Sequence, residues 1–212
     1  MNEHLSFHGF DKEPVNEILG QVPVVSITGS IASGKDTAGS ILQQSLGFTP
    51  FSTSDILRSM VASTGLTPPY SRELLSTFVW DQIDKHGEDF WVKYTLDHAA
   101  EQLQLSETPV GITHIGTRIP ADIAYLKQFP NTLSIWIESD VHVRTRRLIE
   151  RGASKEQIEE FADRDPIEND IMAPIKETVD VVIINNGDLS DFASNLIGIV
   201  RSSFLLDEIA SK

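Results

Sequence analysis

The sequence predicts an α/β fold, a parallel sheet with helices on both faces, and two observations carry that reading. Short, largely apolar runs at residues 22–28 (VPVVSIT), 133–137 (LSIWI) and 179–184 (VDVVII) suit strands buried on both faces. Between them lie segments whose apolar residues recur at helical spacing, and strands that alternate with helices pair in parallel through crossover connections. In such a sheet the ligand site lies at the carboxyl ends of the strands.

The first strand, 22–28, runs into Gly29-Ser30-Ile31-Ala32-Ser33-Gly34-Lys35-Asp36-Thr37, after which Ala38, Ile41, Leu42 and Leu46 line one helical face. Residues 47–52 read as a short second strand, followed by a helix capped at Ser54 or Asp55. A Gly- and Pro-containing loop at 64–69 leads to a helix over 70–86, with Leu74, Leu75, Phe78, Val79 and Ile83 on one face and Gly87 at its end. Residues 89–105 form another helix, with Trp91, Tyr94 and His98 along one side. The third strand is 109–115, its C-terminal loop 116–120, the next helix 121–129 and the fourth strand 133–137. Helix 141–151 carries Arg144, Arg146, Arg147 and Arg151. Residues 152–165 are polar and acidic and read as a mobile, lid-like excursion. The last buried strand is 179–184, and Asn185-Asn186-Gly187 turns into a final helix with Leu189, Phe192, Leu196, Val200 and Phe204 toward the sheet. Residues 1–21 read as an extension outside the core fold, a loose arm or a short helix around 15–19.

Composition narrows the function. A chain of 212 residues with 40% hydrophobic and 23% charged content makes one domain, or one domain with small inserts, with a full core. No run approaches the ~20 apolar residues of a membrane span, and the polar first 20 residues do not read as a signal peptide. The absence of cysteine excludes disulfides and thiolate zinc sites and fits a cytoplasmic protein. A net charge of −14 argues against general binding to nucleic acid or to an anionic membrane. An acidic chain still binds phosphate where its arginines are gathered in one place.

The glycine loop between strand and helix has the context of a phosphate-binding element. Gly29 and Gly34 let the backbone curl so that its N–H groups converge. The helix N-terminus adds partial positive charge, and Lys35 would reach the outer phosphates. Ser30, Ala32, Ser33, Asp36 and Thr37 complete the expected nucleotide contacts. The hydroxyl that usually follows the lysine is replaced by Asp36 and comes one residue later, at Thr37. This Gly-Lys-x-Thr ending resembles adenylate kinase and its relatives. An acidic Asp36 beside polyphosphate is unfavourable unless it turns away or helps to hold metal-bound water.

The resemblance extends beyond the loop. Residues 52–58 (STSDILR) look like the nucleoside-monophosphate segment of adenylate kinase, which implies that Thr53 and Arg58, with Asp55 beside them, hold the acceptor. A guanidinium supplies the fork of N–H donors that a monophosphate needs. Gly116-Thr117-Arg118 resembles the family's third-strand loop and implies a second acceptor contact from Arg118. The family's aspartate on that strand, which orders the magnesium waters, is replaced here by His114 or Ile115. His114 reads as a strand-end histidine bonded to its neighbours. Arg144, Arg147 and Arg151 share a helix face, and Arg164 lies in the excursion that follows. The resemblance implies that Arg147, Arg151 and Arg164 close over the transferring phosphoryl group and stabilise its charge.

The later part is similar to dephospho-CoA kinase and related kinases of archaeal type, through Phe161-Ala162-Asp163-Arg164-Asp165 with Glu168 and through residues 179–187. That likeness implies that Asn185 and Gly187 lie near the nucleotide base. Together the resemblances cover about 22–204 and imply a three-layer P-loop kinase fold on a five-stranded parallel sheet. They imply one domain over 22–212, with an acceptor-binding helical part at about 53–105 and a short lid at about 152–165. The implied cofactors are ATP and Mg²⁺, with Thr37 near the metal, directly or through water. The implied reaction moves the γ-phosphoryl group to a small nucleotide-like acceptor, a nucleoside monophosphate or dephospho-CoA. The alternative is a nucleotide-binding regulator that keeps the fold without the chemistry. Monomer and homo-oligomer stay equally open.

Overall fold

The computed structural model describes residues 19–104 and 110–205. Five strands, β1 (Val24–Thr28), β2 (Thr49–Ser52), β3 (Ile112–Ile115), β4 (Thr132–Glu138) and β5 (Val181–Ile184), form one sheet in the order β2-β3-β1-β4-β5. Every neighbouring pair is parallel. The helices are α1 (Lys35–Leu46), α2 (Thr53–Ser63), α3 (Arg72–His86), α4 (Phe90–Gln104), α5 (Pro120–Leu126), α6 (Val141–Glu150), α7 (Lys155–Thr178) and α8 (Leu189–Phe204). From the central β1 the chain builds one side of the sheet with β2 and β3, then crosses to β4 and β5. The order therefore reverses at the carboxyl end of β1, where a ligand crevice belongs.

Side-chain alternation along the strands sorts the core into two layers. Val25 and Ile27 of β1, with Leu133, Ile135 and Ile137 of β4, face α1 and α8 through Ala38, Leu42, Phe192, Leu196 and Val200. Val24, Phe51, Ile112 and Trp136 point the other way, toward α4, α5 and α7 through Val92, Leu96, Ile123, Leu126 and Ile175. A third cluster, Met60, Phe90 and Trp91 with Ile56, Leu57, Phe78, Val79 and Ile83, holds α2, α3 and the start of α4 together as a helical insert beside the sheet. The sheet thus carries helices on both faces, as the sequence predicts. No helix of the described residues is long and apolar enough to cross a membrane.

Several local expectations change. The cap of α2 is Ser52, whose Oγ accepts from the Asp55 N–H, so the helix begins before Ser54. The segment 152–165 is helical from Lys155 onward and is continuous with the rest of α7. A reciprocal cap starts it: Ser154 N–H donates to Gln157 Oε1, and Gln157 N–H donates to Ser154 Oγ. Pairs at i, i+4, Lys155 with Glu159 and Glu160 with Arg164, support a surface that carries few apolar residues. β5 is an edge strand: Ile183 is buried, while Val182 and Ile184 on its other face are exposed. Leu189 is likewise exposed at the start of α8. The core reaches back to Leu19, which is fully buried against the α4 layer. Residues 1–18 of the expected extension, the end of the expected helix at Leu105 and the start of the expected third strand at Pro109 lie outside the described residues.

Candidate active site

β1 ends in the glycine loop, and the loop ends in the N-terminus of α1. Gly29 has φ +142, and a Cβ there would stand 2.4 Å from the Ile137 carbonyl oxygen. Gly34 has φ +109, and its Cβ would stand 2.5 Å from Asn185 Nδ2. Ala32 also adopts a left-handed backbone, with φ 59. Such alternation of hand turns successive N–H groups to one side of the chain, the geometry of an anion-binding nest. Lys35 lies across the loop, its ammonium donating to the carbonyls of Gly29 (2.9 Å) and Ser30 (2.8 Å). Ser33 Oγ is buried and meets no hydrogen-bonding partner among the described residues.

A second layer of side chains grips the loop from behind. Arg147 donates to the carbonyls of Ala32 (3.3 Å) and Ser33 (3.1 Å), to Ser139 Oγ (3.0 Å), and to the backbone and side-chain oxygens of Asn185 (2.9 and 3.1 Å). Burial, with Arg146 and Arg151 nearby, pushes the Arg147 guanidinium below its ordinary value. Asn185 is buried and donates its Nδ2 to the Ser33 carbonyl at 2.8 Å. Arg144 is buried too, paired in a fork with Asp165 and donating to the carbonyls of Ser139 and Ile31. Asp165 accepts from Asn169 Nδ2, and Asn169 Oδ1 accepts from the loop's own Ser30 hydroxyl at 2.5 Å. The long helix α7 is thereby tied to the glycine loop.

In front of the loop lies a cleft of about 350 Å³. Its walls come from four distant segments: the loop with Lys35 and Asp36, the start of α2 with Ser52, Ser54, Asp55 and Arg58, the loop Gly116-Thr117-Arg118, and Arg151 after α6. Ile115, Leu148 and Met172 supply apolar wall. Four cations therefore meet two carboxylates in one crevice of a chain whose net charge is −14. Arg58 and Asp55 pair at 3.2 Å on the exposed rim. A depression on the outer face of α8, lined by Ser194, Asn195, Gly198, Ile199, Ser202 and Ser203, holds no charged side chain.

The loop 116–118 is held below the cleft. Thr117 gives its carbonyl to the Thr28 hydroxyl at 2.9 Å, and its own hydroxyl meets Ser26 Oγ at 2.9 Å. Asp122 Oδ2 accepts from the N–H groups of Arg118 (2.9 Å) and Ile119 (3.3 Å). Asp122 Oδ1 is buried without a partner among the described residues. Burial raises this carboxyl from the ordinary 3.8 to about 6, against those two N–H donors. His114 lies between Ser26 and Thr53, and burial lowers its imidazole from 6.5 to about 4.

The structure thus brings Gly29, Ala32, Lys35, Asp36, Asp55, Arg58, Arg118 and Arg151 to one cleft. Ser30, Ser33 and Gly34 complete the loop at its floor, and Thr37 follows, half-buried, in the first turn of α1. Other expected site residues lie elsewhere. Thr53 is bonded inward, to Thr95 and His114. Arg147 and Asn185 buttress the loop from behind, and Gly187 is exposed beyond β5. Arg164 points to the helical insert, pairing with Glu73 of α3 (3.4 Å) and Glu160 (3.5 Å). Ser139 and Asn169 belong to no motif of the sequence, and Asp165 stands there only within Phe161-Ala162-Asp163-Arg164-Asp165, without a role. The only signal of this buttress there is a cluster of polar residues on an otherwise ordinary helix and strand end.

The five-stranded parallel sheet, its helices on both faces and the glycine loop after β1 make a P-loop kinase-like α/β fold. Solved structures with this architecture include the shikimate kinase from Acinetobacter baumannii in complex with shikimate, 18% identical, with a TM-score of 0.53 over 88% of this chain and 97% of that one. An uncharacterized protein from Eubacterium ventriosum is 15% identical, with a TM-score of 0.52 over 85% of this chain and 99% of that one. The shikimate kinase from Bacteroides thetaiotaomicron is 14% identical, with a TM-score of 0.50 over 87% and 98%. At these identities the likeness is one of fold. No family model matches the chain, and no curated protein matches it.

Proposed function

We propose that this protein is a P-loop small-molecule kinase that transfers the γ-phosphoryl group of ATP to an anionic, nucleotide-like acceptor, a nucleoside monophosphate or dephospho-CoA. The observation that carries the reading is the meeting of Lys35, Arg58, Arg118 and Arg151, from four separate segments, in one cleft beside the glycine loop. The loop fits a polyphosphate. A Cβ at Gly29 or Gly34 would strike the Ile137 carbonyl or the Asn185 amide behind the loop, so only glycine gives the backbone this curl, and the buried Ser33 hydroxyl has no partner of its own among the described residues.

Lys35 and the loop N–H groups would hold the outer phosphates of ATP, which supplies the phosphoryl group when bound. Arg58 and Arg118 would clamp the acceptor's anionic group opposite, and Arg151 would neutralise charge between the two. Among the described residues no cluster of three or more acidic or histidine side chains forms a metal site of its own. Mg²⁺ would arrive with the nucleotide, and Asp36 in the cleft and Thr37 beside it would hold it or its waters. Arg164 with Glu73, and Arg72 with Glu160, bridge α7 to the acceptor insert, contacts through which the two walls can move together to exclude water.

A carboxylate acceptor is the second reading, because guanidinium forks suit carboxylate and phosphate alike and the fold is shared with a shikimate-bound kinase. An ADP-release assay tests both. Its panel is ribo- and deoxynucleoside monophosphates, dephospho-CoA, shikimate and no acceptor. Acceptor-dependent release supports the kinase, and the acceptor that stimulates it names the class. Tight ATP binding with no stimulated release favours the non-catalytic regulator.

A further inference from the structure

A line of polar side chains runs through the buried layer between the sheet and α4. Thr117 Oγ1 lies 2.9 Å from Ser26 Oγ, and Ser26 Oγ lies 3.2 Å from His114 Nδ1. His114 Nε2 lies 3.2 Å from Thr53 Oγ1, which lies 3.2 Å from Thr95 Oγ1. Thr95 donates to the Trp91 carbonyl at 2.8 Å. Ser26, Thr95, His114 and Thr117 are all buried.

The far end fixes the direction of every proton. A carbonyl only accepts, so the Thr95 proton points to Trp91, and the Thr53–Thr95 contact must take its proton from Thr53. Thr53 can then only accept from His114, which places the imidazole proton on Nε2. His114 Nδ1 in turn accepts from Ser26, and Ser26 accepts from Thr117. Both ring nitrogens are engaged, so His114 has no nitrogen left for a metal or its water.

The two ends of this line belong to the two segments that carry the acceptor cations. Thr117 precedes Arg118, and Thr53 opens α2, which carries Arg58 five residues on. The segments also touch directly: a Cβ at Gly116 would stand 3.2 Å from Thr53 Cβ. We propose that His114 is a positioning residue that locks the Arg118 loop and the Arg58-bearing end of α2 in one register. It does so through a one-way hydrogen-bond chain from Thr117 to the Trp91 carbonyl, which sets the separation of the two guanidinium groups. This rests on the acceptor site proposed above, and it extends that site to residues that touch no ligand.

The decisive measurements need no substrate. In ¹⁵N-labelled protein, His114 should be the neutral tautomer with its proton on Nε2; a proton on Nδ1 would overturn the chain. Thr95→Val keeps the shape and removes the terminal hydroxyl. It should speed hydrogen exchange of the amides at 116–118 by roughly five-fold, the scale of one net hydrogen bond, and Thr95→Ser should restore the slow rate. A change confined to α4 would sink the proposal. If Thr95→Val does not fold, Ser26→Ala breaks the line from the other side, and the expected response moves to the amides at 53–58. With whichever panel acceptor turns over, Thr95→Val should raise the acceptor KM by roughly five-fold and leave the ATP KM unchanged. Equal changes in both would mark a merely structural role. Coupled exchange in a protein that turns over no acceptor would overturn the kinase assignment and leave the hydrogen-bond chain standing.

Discussion

Arg144→Met should unfold much of the stability of this protein, although Arg144 lines no part of the cleft. Its side chain is 4% exposed and that of its partner Asp165 is 6% exposed. The guanidinium also donates to the Ser139 carbonyl at 2.9 Å and lies over the Phe161 ring, 5.4 Å from its centre. Removing it leaves the Asp165 carboxylate in the interior with Asn169 Nδ2 as its remaining donor among the described residues. Breaking a buried pair from one side typically costs ~3–5 kcal/mol, because a charge is left uncompensated. A domain of this size holds ~5–15 kcal/mol in total and loses ~2–4 °C of Tm per kcal/mol, so the melting point should fall by roughly 10 °C. Arg144→Met with Asp165→Leu removes both charges and should recover most of the loss, since an apolar pair of similar volume often replaces a buried ion pair at little cost. Urea unfolding of the four proteins completes the cycle. A single variant within ~1 kcal/mol of the parent, or a double variant as unstable as the sum of the two singles, would refute a coupled buried pair.

Lys35→Ala should lower turnover by ~10²-fold or more with little change in melting temperature, and near-normal turnover would remove the basis for a phosphate loop. Gly29→Ala places a methyl 2.4 Å from the Ile137 carbonyl oxygen at φ +142, so calorimetric ATP affinity should drop sharply; unchanged affinity would mean the loop can reshape freely. Arg58→Ala and Arg118→Ala should raise the acceptor KM far more than the ATP KM, and the reverse pattern would exchange the two halves of the cleft. Arg151→Ala should cost more in kcat than Arg164→Ala, because Arg151 lines the cleft and Arg164 pairs with Glu73 and Glu160 outside it. An equal loss would show that α7 swings inward during turnover. The pH dependence of stability carries two opposed signatures. His114, lowered to about 4, stabilises the fold above pH 6.5 and loses that contribution as pH falls toward 4. Asp122, raised to about 6, acts the other way: its native site favours the protonated form, so stability drops as pH rises from 3.8 to about 6. Asp122→Asn should therefore fall in stability more steeply than the parent as pH drops from 6 to 4, and parallel curves would show that Asp122 does not titrate there.

The elements of the fold were readable from local chemistry. Strands as apolar as 22–28 and 133–137 demand cover on both faces, which crossover helices supply, so these runs point to a parallel sheet on their own. The glycine loop was equally plain, since its backbone needs Gly29 and Gly34 whatever surrounds it. Roles that depend on which way a long side chain turns were not readable. Spacing puts Arg144, Arg147 and Arg151 on one face of a helix over 141–151, yet Arg144 meets Asp165, Arg147 meets the back of the loop, and of the three Arg151 alone reaches the cleft. Helical period fixes a direction from the axis, and the partner at that direction is set by α7, β5 and the loop, which arrive from far along the chain. The same holds for 152–165, whose composition resembles a loose excursion. It is helical because a cap at Ser154 starts it and packing of Phe161, Met172 and Ile175 holds the helix against the body. His114 shows the division most clearly. Its place at a strand end was legible, but its proton and partners follow from Ser26, Thr53 and Thr95, brought beside it by strand register and by α4. A buried polar group must find its hydrogen bonds within the fold, and which ones it finds is decided by tertiary packing.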